Sequence, residues 1–95
     1  MLLAVDIGNT NIVVGIFRGE KLVASFRLSS DRDRTADEYG IQMAHFLGRD
    51  GIANGMIEGA IISSVVPPLN ETIEKAISQY CGVSNPLQVG PGLKT

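Results

Sequence analysis

Apolar and polar residues along the first third of the chain follow a pattern that predicts three strands. Leu2 to Asp6 is a nearly continuous apolar run, which is typical of a buried central strand. Asn11 to Arg18 is rich in β-branched and aromatic residues, and Lys21 to Leu28 alternates as a half-buried strand does. Only Ile7-Gly8-Asn9-Thr10 and Gly19-Glu20 separate these runs. The strands must therefore be antiparallel, because a parallel return needs a crossover of a dozen or more residues.

A helix is predicted after the polar loop Ser29 to Arg34. Thr35 and Glu38 have the spacing of a capping box, in which each residue satisfies a backbone N–H of the other. Gly48 and Gly51 mark the end of this helix. Its apolar residues recur at helical spacing on one face. They are Tyr39, Met43, Phe46 and Leu47.

A fourth strand, a second helix and a short fifth strand are predicted in the remaining sequence. Ala60 to Val66 is short and apolar, as a buried strand is. Pro67-Pro68 suits the first turn of a helix, where a missing N–H costs least, and Gly82 is a natural stop. Pro86 to Val89 predicts the fifth strand. The buried face of the second helix comprises Leu69, Ile73, Ala76, Ile77 and Tyr80.

The predicted order of elements is β-β-β-α-β-α-β, which indicates the α/β class. Three hairpin-linked strands followed by βα units form a mixed sheet with helices packed on it. The ribonuclease-H-like half-domain of the actin-type ATPases has this order. Because one fold serves many functions, the order alone assigns no activity.

Composition narrows the classes of partner. The chain of 95 residues is 44% hydrophobic and 19% charged, which argues against intrinsic disorder. Its formal net charge of −2, with acidic and basic residues interspersed, provides no general attraction to nucleic acid or to an anionic membrane. No apolar run approaches the roughly 20 residues of a membrane span. We therefore expect neither nucleic acid nor a membrane as a partner.

The single cysteine, Cys81, cannot form a disulfide within the chain. A lone thiol with no activating base nearby in sequence is expected to be structural and inert. Such cysteine usage suits a reducing compartment, and the N-terminus lacks the basic region of a signal peptide. The expected location is the cytoplasm.

The candidate chemistry lies at the first turn. Asp6 directly follows a buried strand, where a carboxylate can hold Mg²⁺ directly or through water. Gly8 has no Cβ, so the backbone can turn tightly and approach a phosphate closely. The turn N–H groups, with the side chains of Asn9, Thr10 and Asn11, can donate hydrogen bonds to phosphate oxygens.

An ordinary β-hairpin is the alternative interpretation of this turn, since Gly-Asn is common in turns. The position of the motif at the N-terminus, between two apolar strands, favours phosphate binding. Neither the Gly-Lys-Ser/Thr of a P-loop nor a Gly-x-Gly-x-x-Gly is present.

Four segments together resemble a known family. Asp6-Ile7-Gly8-Asn9-Thr10-Asn11 resembles the first phosphate motif of the type III pantothenate kinases, in the superfamily of acetate kinase, heat-shock chaperones, actin and sugar kinases. Three further segments are similar to that family in the same order: Arg34 to Tyr39, Ser63 to Pro67, and Val89 to Thr95. The resemblance spans essentially the whole chain.

This resemblance implies ATP-dependent phosphorylation of pantothenate, the first step of coenzyme A biosynthesis. It also implies Mg²⁺, a monovalent cation such as K⁺ or NH₄⁺, and a homodimer whose subunits contain two ribonuclease-H-like domains. Asp6 would be the metal ligand. The ATP-phosphate segment would comprise Asp6, Ile7, Gly8, Asn9, Thr10, Asn11, Ile12 and Val13.

The resemblance further implies that residues 1–95 are a truncated first domain, with the second domain absent. The family's general base is an Asp in a Gly-x-Asp-Arg motif that follows the Gly-Pro-Gly-Leu-Lys-Thr stretch, so no catalytic residue is expected within 1–95. A non-catalytic nucleotide-binding protein, or a regulator related to the Baf-type transcriptional activators, is the alternative. A structural fragment with no activity is the third possibility.

Other polar residues have simpler interpretations. His45 lies off the apolar face of its helix with no partner nearby in sequence, so a surface or packing role is expected. Arg32 and Arg34 could reach an anionic substrate, but a solvated loop with interleaved acids is the favoured interpretation. Ser63 and Ser64 could line a nucleotide cleft, and without a nearby base neither is expected to be a nucleophile.

Overall fold

The computed structural model describes residues 1–89. In it the chain folds into a five-stranded sheet and two helices. The strands are β1 (Leu2–Ile7), β2 (Asn11–Arg18), β3 (Lys21–Ser29), β4 (Gly59–Ser64) and β5 (Leu87–Val89). The helices are α1 (Ala36–Arg49) and α2 (Pro67–Tyr80), and a short 3₁₀ turn spans Asn54–Met56. The glycine-rich segment 90–95, which contributes to the family resemblance, lies outside the described residues.

The sheet is mixed, with the strand order β3-β2-β1-β4-β5. β1 and β2 pair antiparallel, as do β2 and β3, because each pair is joined by a tight turn. β4 pairs parallel with both β1 and β5, after crossovers that contain α1 and α2 respectively. The predicted order of elements and the mixed sheet are confirmed.

Both helices pack on one face of the sheet and form one hydrophobic core with it. Side chains at alternate strand positions point into this core, as the period of a strand requires. Among them, Ile7, Ile12 and Ile62 are completely buried. The helices add their own apolar faces, whose buried members are Tyr39, Met43 and Leu47 on α1 and Leu69, Ile73, Ala76 and Ile77 on α2. The opposite face of the sheet carries no helix within residues 1–89.

The helix ends follow the sequence signals. The Thr35 hydroxyl accepts from the Glu38 N–H at 3.1 Å, and the Glu38 carboxylate accepts from the Thr35 N–H at 2.8 Å, so the predicted capping box is formed. Gly51 and Gly82 follow the ends of α1 and α2 with φ of +75°, a conformation that glycine adopts without strain.

Two expectations need correction. The fourth strand was expected to reach Val66 but ends at Ser64, because the Ser64 hydroxyl accepts from the Val66 N–H at 3.0 Å and bends the chain into α2. Tyr80 was expected on the buried face of α2, but its ring is only half-buried.

Within the described residues, no helix is long and apolar enough to cross a membrane.

Candidate functional site

The turn between β1 and β2 protrudes from the sheet at the carboxyl end of β1. Ile7 and Ile12 face each other in the last strand pair before the turn, and both are fully buried. The Gly8 N–H donates to the Asn11 carbonyl at 2.9 Å and closes the hairpin. Asn9 and Thr10 are exposed at the tip. Two core isoleucines therefore anchor a turn that solvent, or a ligand, can reach.

The predicted segment from Asp6 to Val13 consequently divides into two kinds of residue. Ile7 and Ile12 have completely buried side chains, so their role is to hold the backbone. The remaining six residues are exposed or half-buried. They are Asp6, Gly8, Asn9, Thr10, Asn11 and Val13.

Two backbone N–H groups of the turn are available to a ligand. Within residues 1–89, neither the Asn9 nor the Thr10 N–H has an acceptor. Two of the turn carbonyls are occupied: Thr10 O accepts from the Ser30 N–H at 2.9 Å, and Gly8 O accepts from the Ser30 hydroxyl at 2.6 Å. Backbone N–H groups without an internal acceptor are the kind of donor that anion-binding turns present.

Asp6 lies on the exposed face of the sheet beside this turn. It is in register with Val13 of β2 on one side and Ser63 of β4 on the other. Within the described part of the chain, its carboxylate forms no ion pair or hydrogen bond. Asp6, Ser25 and Ser63 are the polar residues that line a mainly apolar groove of about 420 Å³ on this face.

Within residues 1–89, Asp6 does not belong to a cluster of three or more potential metal ligands. No group of three or more His, Cys, Asp or Glu residues suited to a metal ion occurs in the described chain. Mg²⁺ is usually held by one or two carboxylates together with waters and substrate phosphates. The Asp6 carboxylate, which has no partner among the described residues, is compatible with this mode of binding.

Gly8 provides space at the turn rather than an unusual backbone conformation. The glycines with positive φ in the described chain are Gly19, Gly51 and Gly82. A Cβ added to Gly8 would lie 3.1 Å from the Asn11 carbonyl oxygen, the atom that accepts the hairpin-closing bond. A larger residue would therefore press on the backbone of the turn.

Ser30 was not recognised from the sequence, where it appeared only as part of a polar loop. The signal that could have identified it is topological. Because β2 and β3 are antiparallel, the end of β3 returns to the start of β2, and Ser29 pairs with Asn11. The next residue must therefore lie beside the turn tip.

The other candidates do not join the site. His45 is exposed and packs edge-on against Phe46, with ring centroids 5.5 Å apart. The Arg34 guanidinium lies over the Tyr39 ring, 5.4 Å from its centroid. Ser64 is buried and bonded to the Val66 N–H. Each has a structural role in the folded chain.

Cys81 is completely buried at the end of α2. Burial raises the pKa of its thiol to about 11, because a thiolate is poorly solvated in an apolar core. The thiol is therefore protonated at neutral pH and cannot act as a nucleophile, in agreement with the structural role expected from the sequence.

Comparisons with known proteins place these features in context. The family model for type III pantothenate kinase matches residues 2–95. Over 95 residues the chain is 50% identical to a type III pantothenate kinase of Geobacter sulfurreducens and 47% identical to one of Brevibacillus brevis. Each alignment covers 100% of this chain and 37% of the relative.

A solved structure supports the assignment of the fold. The chain superimposes on a ROK hexokinase from Thermus thermophilus with a TM-score of 0.68 and 13% identity. The match covers 94% of this chain and 34% of the hexokinase. At this identity the likeness concerns the fold alone, and it confirms the predicted ribonuclease-H-like α/β architecture.

Proposed function

The chain belongs to the type III pantothenate kinase family, and from this premise we propose that it forms the ATP-phosphate-binding part of a pantothenate kinase. The reaction would be phosphorylation of pantothenate by ATP, the first step of coenzyme A biosynthesis. The chain spans 37% of the length of the curated relatives it matches, so the activity is proposed for the complete protein. The observation that carries the proposal is the exposed turn, in which the Asn9 and Thr10 amides and the nearby Asp6 carboxylate have no partner within residues 1–89.

The amides of Asn9 and Thr10 would donate to phosphate oxygens of ATP. Hydrogen bonds from neutral donors to a charged oxygen are about twice as strong as those between neutral groups. The side chains of Asn9, Thr10 and Asn11 would add further donors. Ile7 and Ile12 anchor the two strand ends on either side of these donors, which would limit movement of the strand ends on binding.

The carboxylate of Asp6 would help to hold Mg²⁺ at the phosphates, directly or through water. Bound there, the ion would neutralise charge on the phosphate oxygens. Ser63, next to Asp6 in the parallel register, is a polar neighbour that could orient such a water. Phosphoryl transfer depends mainly on positioning and electrostatic stabilisation, which are the contributions this turn can make.

Other properties of the complete enzyme are proposed from the family. They are a dependence on K⁺ or NH₄⁺, a homodimeric assembly, a cytoplasmic location, and a second ribonuclease-H-like domain. We assign the general base to the part of the relatives beyond this segment. Within residues 1–89, three acids near the start of α1 have local structural contacts: Asp31 accepts from the Asp33 N–H, Asp37 accepts from Tyr80, and Glu38 caps the helix.

A chimera provides the test. The 95 residues would replace the matching segment of the Geobacter sulfurreducens relative, which is 50% identical. Purified free of host kinase, the chimera should release ADP only when ATP, Mg²⁺, K⁺ and pantothenate are all present. Asp6→Asn in this chimera should lower kcat by roughly a hundred-fold or more, because it removes the charge that holds the metal. The 95-residue chain alone should show no pantothenate-dependent turnover.

Two outcomes would contradict the proposal. Near-normal kcat for Asp6→Asn would remove Asp6 from the metal site. A chimera that folds and binds ATP but never phosphorylates pantothenate, while the parent relative does, would favour the non-catalytic alternative for this chain.

A further inference from the structure

We infer that Ser30 is a positioning residue for the phosphate-binding turn, holding its amides in the orientation that a phosphate requires. The inference rests on the proposed function, because it concerns the same turn. Ser30 lies 22 residues from Gly8 in sequence, yet its hydroxyl donates to the Gly8 carbonyl at 2.6 Å. Its own N–H donates to the Thr10 carbonyl at 2.9 Å. One residue thus binds two of the carbonyls in the turn.

Bonding a carbonyl also orients the N–H of the same peptide unit. The described peptide bonds are all trans, and in a trans peptide the C=O and N–H point in opposite directions. Because the Gly8 carbonyl points toward Ser30, the Asn9 N–H must point away from it. The Thr10 N–H lies in the Asn9–Thr10 peptide unit. Ser30 bonds the carbonyls of the peptide units before and after it. Ser30 therefore limits rotation of the donors on both sides of the tip.

Ser30 is itself fixed by the core of the protein. The hydroxyl of Tyr39 accepts from the Asp31 N–H and donates to the Asp31 carbonyl, each at 2.8 Å. The Tyr39 ring is completely buried in the core. The residue after Ser30 is consequently tied to helix α1, so the Ser30 hydroxyl is held against the turn by a rigid element.

This arrangement provides a contact that the hairpin lacks by itself. The tip residues Asn9 and Thr10 are exposed, and their N–H groups have no acceptor within residues 1–89. A two-residue tip without such bonds would sample several peptide orientations, and a phosphate would have to select one of them. Holding the carbonyls beforehand reduces the ordering that binding must bring about.

The test compares variants at Ser30 with a neighbouring control. Ser30→Ala removes the hydroxyl, and Ser30→Thr retains it. Ser29→Ala is the matched control, because Ser29 is adjacent and exposed and its hydroxyl has no partner within residues 1–89. ¹⁵N relaxation of the ligand-free chain reports the order of the Asn9 and Thr10 amides. Titration with Mg·ATP reports the dissociation constant, and a thermal melt reports stability.

We expect Ser30→Ala to lower the order parameters of both tip amides from about 0.85 toward 0.6. The dissociation constant for Mg·ATP should rise about five-fold, as the loss of one hydrogen bond allows. Ser30→Thr should restore both values, and Ser29→Ala should change neither. If Ser30→Ala fails to fold, Ser30→Cys takes its place, because the thiol is close in size but a weak donor.

The two readouts separate this inference from the proposed function. Unchanged order parameters in a folded Ser30→Ala variant would overturn the positioning role, whatever the affinity. Lower order parameters for the tip amides with an unchanged dissociation constant for Mg·ATP would also overturn the positioning role. The orientation of these amides would then have no effect on phosphate binding. If the unsubstituted chain does not bind Mg·ATP at the turn, the proposed function fails, and the phosphate role of Ser30 fails with it. The relaxation data would still show whether Ser30 orders the turn.

Discussion

The aromatic ring of Tyr80 lies directly on the backbone of Gly40, so that helix α2 touches helix α1 where α1 has no side chain. A Cβ added to Gly40 would come within 2.0 Å of Tyr80 Cδ1 and 2.4 Å of Cγ. The Tyr80 hydroxyl donates to the Asp37 carboxylate of α1 at 2.7 Å, and this hydrogen bond raises the pKa of Tyr80. The glycine therefore allows the two helices to share both an apolar contact and a hydrogen bond.

Gly40→Ala should destabilise the protein although alanine favours helices. The helix propensity of alanine would add up to about 1 kcal/mol to stability. The new Cβ would clash with Cγ of Tyr80, the ring atom closest to the Tyr80 backbone. Rotating only the far end of the ring therefore cannot relieve the clash. Overpacking of this kind costs about 1–3 kcal/mol. We expect a net lower free energy of unfolding in denaturant titrations.

Gly48→Ala is the control for this prediction. Gly48 is in the same helix, and a Cβ there would meet nothing within 4 Å. It should therefore stabilise the protein by roughly 0.5–1 kcal/mol through helix propensity alone. If both variants were stabilised equally, the Tyr80 ring would not be packed on Gly40 in solution.

The Gly40 contact illustrates what the sequence could and could not predict. Helical periodicity identified the apolar faces of α1 and α2, but Tyr80 was expected in the core. Its ring covers a gap in the neighbouring helix instead, which depends on how the two helices pack. Pairwise packing of this kind is a long-range property that periodicity along one helix does not contain.

The candidate site shows the same division. Asp6 and the turn after it could be predicted because a strand end, a turn and the next strand are adjacent in sequence. The bonds from Ser30 to the turn could not, since their geometry depends on the side-chain conformation of a residue distant in sequence. The end of β4 was misassigned for a local reason, the bond from the Val66 N–H to the Ser64 hydroxyl.

Stability should fall at alkaline pH because of Cys81. Burial raises the pKa of this thiol from its ordinary value of 9.0 to about 11. Between these values the unfolded chain loses the proton while the folded chain retains it, so rising pH favours unfolding. The stability associated with the protonated Cys81 thiol is fully present below pH 9 and should be lost as pH rises toward 11. The loss in the free energy of unfolding should amount to roughly 1–3 kcal/mol.

Denaturant titrations at several pH values between 8 and 10.5 would measure this loss. Cys81→Ala should be less stable at pH 8, because it leaves a small cavity in the core, but its stability should decline less steeply with pH. Parallel pH profiles for the two proteins would mean that the Cys81 thiol titrates normally and is not buried in the folded state.

Gly8→Val should reduce affinity for Mg·ATP more than it reduces stability. The new side chain would press on the Asn11 carbonyl, which is 3.1 Å from the position of a Cβ, and would occupy space beside the exposed turn. We expect the dissociation constant to rise at least ten-fold, with a change in unfolding free energy of about 1–2 kcal/mol. Gly55→Val is the control, since a Cβ there would meet nothing within 4 Å.

Calorimetric titration and thermal melts of both variants would show whether Gly8 acts on affinity or on stability. If Gly8→Val greatly lowers the melting temperature while the remaining folded protein binds Mg·ATP normally, Gly8 is merely a turn residue. Equal effects of Gly8→Val and Gly55→Val on affinity would lead to the same conclusion.

We propose that the turn after β1 binds the phosphates of ATP through the amides of Asn9 and Thr10, with Mg²⁺ held at Asp6. The most direct measurement is a ¹H–¹⁵N NMR titration of the chain with Mg·ATP, with adenosine in parallel, repeated on Asp6→Asn. We predict that Mg·ATP moves the amide resonances of Asn9 and Thr10 most, that adenosine leaves them unchanged, and that Asp6→Asn weakens the effect of Mg²⁺. Shifts that leave Asn9 and Thr10 unmoved, or that are identical with adenosine, would contradict the claim.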